Sequence, residues 1–260
     1  MPKFAANLTM MFSEVDFLER FARAAQSGFK GVEYLFPYAW EADELAQQLR
    51  SNSLEQALFN MPPGDWDAGE RGLACLPGRE SELEEGVAKA IGYAKTLGCQ
   101  NIHMMAGLIP AGLSDEAAQE CYLTNLRSAA DMLNAEGLTL LIEPINSRDM
   151  PGYFLNTTGQ AKRLIEMSGR DNIKLQFDFY HCQISEGDLA TRLKDLYPIT
   201  AHYQIAGVPE RHEPSIGEIN YPDLFARIDA LDYQGWIGCE YRPKGKTEDG
   251  LSWFEPYCVR

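Results

Sequence analysis

Eight short runs of β-branched and aromatic residues recur along this chain, each followed by a stretch with apolar residues three and four apart. The runs are FAANLTM (4–10), GVEYLF (31–36), QALFNM (56–61), NIHMMAG (101–107), LTLLIEPIN (138–146), IKLQFDFYH (173–181), TAHYQIAG (200–207) and WIGCEYRP (236–243). The first intervening stretch carries Phe17, Leu18, Phe21, Ala24 and Ala25; the fourth carries Leu126, Ala129, Ala130 and Leu133. Such spacing puts one apolar stripe on a helix. Strands separated by helices pair in parallel through right-handed crossovers. Eight of them in 260 residues, near the ~250 typical of the architecture, predict an α/β chain closed as one (β/α)8 barrel over residues 1–260. A doubly wound open sheet is the alternative, but no G-x-G-x-x-G follows the first run.

Local punctuation agrees. Ser13 with Asp16, and Thr157 with Gln160, read as helix N-caps. Gly28, Gly98, Gly137 and Gly169 each close a helical pattern shortly before a strand. The stretch 60–80, NMPPGDWDAGERGLACLPGRE, carries no periodic element. In a barrel it follows the third strand at the catalytic rim, where a loop of that length is expected to act as a lid, a rigid structural Ω-loop being the alternative its prolines and glycines allow.

Composition narrows the function classes. The formal charge of −15, with a pI near 4.7, disfavours nucleic acid, whose binding draws on Lys and Arg neutralising phosphates. No apolar run reaches the ~20 residues of a membrane span, and the N-terminus lacks a secretory pattern. A cytoplasmic protein is expected, with its six cysteines as reduced, packed thiols. A homo-oligomer is compatible with all of this.

In such barrels the active site lies at the carboxyl ends of the strands. The last four runs place Glu143, Asp178, Gln204 and Glu240 there, each a polar residue interrupting an apolar pattern. Adjacent strands are ~4.8 Å apart, so these side chains can converge. Three converging carboxylates repel by about 4 kcal/mol per pair at ~4 Å and an effective dielectric of ~20. Such a cluster holds either protons or a cation, and oxygen donors suit Mg²⁺ or Mn²⁺ better than Zn²⁺. His181 stands near enough to bond a substrate oxygen. Arg211 could take a substrate carboxylate, or pair with Glu210 or Glu213 at the surface. His202 shares the parity of Gln204 and is expected one layer deeper, as a satisfied interior histidine.

The segments NLTMMF, LPGRE, LIEPIN, FDFYH, QIAGVPERHEPSIGEINY and GWIGCEYRP resemble the hydroxypyruvate isomerase family, a branch of the xylose-isomerase-like TIM barrels. The resemblance spans essentially the whole chain. It implies a metal-dependent isomerase of the aldose–ketose kind, interconverting hydroxypyruvate and tartronate semialdehyde through an enediolate. It also implies Glu143 and Glu240 as proton donor and acceptor, and Glu143, Asp178, Gln204 and Glu240 as ligands of one divalent ion. The same site could serve 2-oxo-tetronate, or a ketose 3-epimerase, where the fourth ligand is usually histidine rather than Gln204. An endonuclease of related fold and a non-catalytic sugar or metal sensor are the more distant readings.

Overall fold

Parallel pairing runs unbroken around a ring in which every strand lies between its two neighbours in sequence and the first closes on the last. The computed structural model describes residues 1–258. Its strands are β1 (Lys3–Asn7), β2 (Gly31–Tyr34), β3 (Glu55–Asn60), β4 (Asn101–His103), β5 (Thr139–Ile142), β6 (Ile173–Asp178), β7 (Thr200–Gln204) and β8 (Trp236–Cys239). The seam pairs Lys3 with Trp236 and Ala6 with Cys239. Outside lie α1 (Phe17–Gln26), α2 (Ala42–Asn52), α3 (Glu80–Leu97), α4 (Asp115–Asn134), α5 (Thr158–Ser168), α6 (Phe179–Ser185), α7 (Leu189–Leu196) and α8 (Tyr221–Ala230). The TIM barrel expected from the alternation is the fold.

Several helix ends fall where the sequence marks them. The Thr157 hydroxyl accepts from the Gln160 amide at 3.2 Å, and α4 buries the stripe Leu126, Ala129, Ala130 and Leu133 against the barrel. Gly98 and Gly169 end α3 and α5 with φ of 66° and 65°, the left-handed conformation that spares them a Cβ clash. Ser13 does not cap: α1 starts after Asp16, which makes no side-chain cap bond.

Strands are shorter than the apolar runs that announce them. The run 173–181 ends as a strand at Asp178, whose carboxylate accepts from the Tyr180 amide at 2.7 Å and starts α6. His181 therefore stands on the first turn of a helix, not at a strand exit. The crossover after β8 contains 3₁₀ turns, Thr247–Trp253 and Glu255–Tyr257, among the described residues. Those turns bring Trp253, Phe254 and Tyr257 to Phe4 with ring centroids 5.2, 5.8 and 5.3 Å away, beside Phe225 at 5.0 Å.

The long loop after β3 is pinned. Met61 donates to the His103 carbonyl and Cys75 to that of Ala106, both at 2.8 Å. Gly72 packs so closely on β4's exit that a Cβ there would fall 2.3 Å from the Met105 oxygen. Its Leu73, Ala74 and Cys75 are buried, and its Trp66 and Arg71 face the central cavity, so it forms a wall of the site. Among the described residues no helix is long and apolar enough to cross a membrane.

Candidate active site

Glu143 lies one residue past β5, Asp178 ends β6, and Glu240 lies one residue past β8; all three are buried. One donor atom from each, together with one from His181, lie within 4.8 Å of one another. His181 enters from α6, with Nε2 3.5 Å from Asp178 Oδ2 and 3.9 Å from Glu143 Oε1.

The proton on that imidazole can be placed from its neighbours. Asn146 Oδ1 accepts from the Asp149 amide at 2.8 Å, which fixes its amide sense. Its Nδ2, 2.6 Å from His181 Nδ1, is then the donor. Burial, with Arg211 adding to it, holds the His181 pKa well below the usual value, so the ring is neutral with its proton on Nε2. His181 thus presents an N–H donor to the cluster, suited to a substrate oxygen rather than to a metal ion.

Burial lifts the Glu143 carboxyl well above the ordinary carboxylate range, and Glu240 and Asp178 beside it lift it further. Burial raises Asp178 and Glu240 too, opposed by Arg211. Glu143 Oε1 and Asp178 Oδ2 are buried without a hydrogen-bond partner. A buried acidic cluster with two orphaned oxygens is a donor set that fits a hard divalent cation. Arg211 supplies positive charge there: its Nη2 bonds Glu240 Oε2 and lies 3.6 Å from Asp178 Oδ2, with the guanidinium 4.8 Å from the Tyr180 ring. It pairs with neither Glu210 nor Glu213, the surface partners its sequence neighbourhood suggests. Glu213 is buried, accepting from the Lys244 amide at 3.0 Å, because the loop turns it inward.

Gln204 stands in register beside Asp178, yet its amide is turned to a deeper polar tier. Its Oε1 accepts from Gln176 Nε2 at 2.6 Å and its Nε2 donates to Glu33 Oε1 at 2.9 Å. His202, fully buried as its parity predicts, bonds Glu33 Oε2 at 2.7 Å. Glu33, Asn7, Gln176 and Asn60 belong to this polar surround without having been expected from the sequence. The available signals were a lone acid inside GVEYLF and a glutamine two residues before Asp178. His103 faces Glu143 Oε2 at 3.8 Å; burial drives its pKa down to about 3, leaving it neutral, with Nδ1 3.2 Å from Asn60 Oδ1. Cys182 and Cys239 adjoin the site as packing: burial raises both thiols, Cys182 to about 12.

Above the cluster opens a cavity of about 850 Å³. Phe36 and Trp66 give it an apolar side, while Arg71, Arg148, Arg211 and Arg242 line its walls. Four carboxylates, Glu143, Asp149, Glu210 and Glu240, line the same cavity, and Arg211 and Arg148 pair with Glu240 and Asp149, which leaves Arg71 and Arg242 as the guanidiniums for an anion.

Residues 21–257 match a family described as "Xylose isomerase-like TIM barrel". The chain is 55% identical over 260 residues to a 2-oxo-tetronate isomerase of Cupriavidus necator, covering 100% of both chains. It is 51% identical over 257 residues to the hydroxypyruvate isomerase of Escherichia coli K12, covering 99% of this chain and 100% of that one. A crystal structure called AP endonuclease, family 2, from Brucella melitensis superposes with a TM-score of 0.98 at 50% identity, covering 100% of each chain.

Proposed function

The chain belongs to the xylose isomerase-like TIM-barrel family and is an isomerase, and we propose that it interconverts hydroxypyruvate and tartronate semialdehyde. The carrying observation is the buried pair Glu143 and Glu240 facing one cavity, with both carboxyls raised by burial above the ordinary carboxylate range. The reaction removes a proton from C3 of hydroxypyruvate and returns one to C2, while the hydroxyl proton passes from the C3 oxygen to the C2 oxygen. One glutamate takes the carbon-bound proton, and either it or its partner delivers one to the neighbouring carbon. The Nε2–H of His181 donates to a substrate oxygen, and Arg71 and Arg242 stand ready for the substrate carboxylate.

One Mg²⁺ or Mn²⁺ ion is proposed at the cluster, held by Glu143, Asp178, Gln204 and Glu240. When bound, such an ion stabilises the enediolate charge as a Lewis acid. Hydrogen-bonding by Asn7 to Glu240 Oε1, at 3.3 Å, steadies that carboxylate within the cluster.

A four-carbon substrate is the second reading. The Cupriavidus relative is named for 2-oxo-tetronate, and the cavity of about 850 Å³ has room for the longer acid. The net charge of −15 supports a small anion held by local arginines over a nucleic acid. The deciding experiment couples tartronate semialdehyde to a reductase, follows NADH oxidation, and compares kcat/KM for both acids before and after chelation. Turnover that vanishes with chelator and returns with Mg²⁺ or Mn²⁺ supports reaction and ion together. Metal-replete protein inactive on both acids overturns the reading.

A further inference from the structure

Below the site lies a fourth buried carboxylate for which the reaction has no use. Glu33 is 1% exposed and receives three bonds. Asn7 Nδ2 donates to Oε1 at 3.0 Å, Gln204 Nε2 to the same oxygen at 2.9 Å, and His202 Nε2 to Oε2 at 2.7 Å. Its seat is a gap in β8: a Cβ on Gly238 would fall 2.2 Å from Oε2 and 2.4 Å from Oε1. Bare backbone at that position is what admits the carboxylate.

A carboxylate surrounded by donors only accepts, so every neighbour must turn an N–H toward it. For Gln204 this decides the amide's sense: Nε2 faces Glu33 and Oε1 faces away. One lone pair of Oε1 is taken by Gln176 at 2.6 Å, and the second is left for a cation. For Asn7 the same rule turns Nδ2 inward, where it also reaches Glu240 Oε1 at 3.3 Å, while Oδ1 accepts from the Thr9 amide at 3.1 Å. With either amide reversed, Gln204 would point N–H at the ion and Asn7 would set an oxygen against two carboxylates. Both errors are repulsive in a buried site.

We propose that Glu33 is a positioning residue that fixes the amide polarity of Gln204, so that Gln204 offers oxygen to the divalent ion; Asn7, whose sense the Thr9 amide already sets, serves as a second donor that holds Glu33 in place. The proposal rests on the reading of Gln204 as a ligand. Glu33 acts through Gln204 and not on the reacting atoms.

The test measures Mn²⁺ affinity by calorimetry on purified, metal-stripped protein, together with kcat and KM. In Glu33→Gln, size is kept but the position can accept or donate, so the Gln204 amide loses its fixed sense. The expected result is a Kd for Mn²⁺ raised about 10–100-fold, the range for residues that orient metal ligands. At saturating Mn²⁺ kcat falls while KM moves little, and Glu33→Asp, which keeps the charge, recovers part of both losses. Gly238→Ala displaces the carboxylate without altering it and is expected to raise the same Kd; this variant carries the test should Glu33→Gln not fold. Wild-type Mn²⁺ affinity in a folded Glu33→Gln or Gly238→Ala protein overturns the proposal. Gln204→Leu separates the two levels. If it binds Mn²⁺ as tightly as wild type, the ligand reading fails; if it weakens binding while Glu33→Gln does not, only the positioning role fails.

Discussion

Arg211 bonds Glu240 twice, through Nη2 to the carboxylate and through Nε to the main-chain oxygen at 3.3 Å. The residue holds a left-handed backbone, φ 60°, and lays its guanidinium over the Tyr180 ring. A charge that would otherwise be stranded in the barrel mouth is thereby matched. Arg211→Met leaves Glu240 buried without it, and breaking a buried pair from one side costs about 3–5 kcal/mol. Denaturant unfolding of metal-free protein above pH ~8, where Glu240 is ionised, should show a loss of that order, and Mn²⁺-saturated protein a smaller one. Equal losses in both forms would mean that the ion does not share the charge of Glu240.

Glu240→Gln keeps the shape of the side chain and removes its proton chemistry. Turnover should fall by about 10²–10⁴-fold, the usual worth of a positioned acid or base. Mn²⁺ binding should weaken but persist, since the amide oxygen remains a donor. Near-normal turnover would take Glu240 out of the proton transfer.

Burial raises Glu143 and Glu240, so the folded metal-free protein binds their protons more tightly than the unfolded chain does. That contribution to stability is full below the ordinary carboxylate range and is lost as pH climbs through the raised folded values, from about 4.5 to about 8 for Glu240. The Tm of metal-free protein should therefore decline across this window. Loading Mn²⁺ requires the carboxylates ionised, so binding should release protons and tighten as pH rises. Calorimetry in two buffers of different ionisation enthalpy reads that release, and a buffer-independent heat at neutral pH would contradict it.

Arg71 stacks on Trp66, its guanidinium 3.9 Å from the ring. Its Nη1 donates to the carbonyls of Trp66 at 3.0 Å and Glu70 at 2.6 Å, which leaves Nε and Nη2 for a ligand in the cavity. A charge-assisted bond is worth about 1.5–3 kcal/mol, so Arg71→Met should raise KM for the acid substrate by about tenfold or more. The effect on kcat should be smaller. Unchanged KM would assign Arg71 to the loop's own architecture.

The barrel and its acidic ring were legible because each signal was local. Glu143, Asp178 and Glu240 interrupt apolar strand patterns, and an acid in such a setting has few reasons to exist. Strand ends were not legible, since pairing stops where the chain turns to build the rim; Asp178 ends its strand by capping α6, a role its spacing alone does not announce. Gln204 was found as a position, but the sense of its amide depends on Glu33, 171 residues away in sequence. Glu33 itself reads as an ordinary alternating polar residue until the ring closes and puts it opposite Gly238 and His202.

The aromatic clasp between Phe4 and the 3₁₀ turns after β8 sets an order on biosynthesis. β1 is made before the other strands, yet one of its edges has no partner until β8 follows, more than two hundred residues later. Phe4 must likewise wait for Trp253, Phe254 and Tyr257. A nascent chain therefore carries an open strand edge and an uncovered phenylalanine for as long as the elements from β2 to β8 are being made. Keeping that pair from the wrong partners is a task for the cell, not for the finished fold.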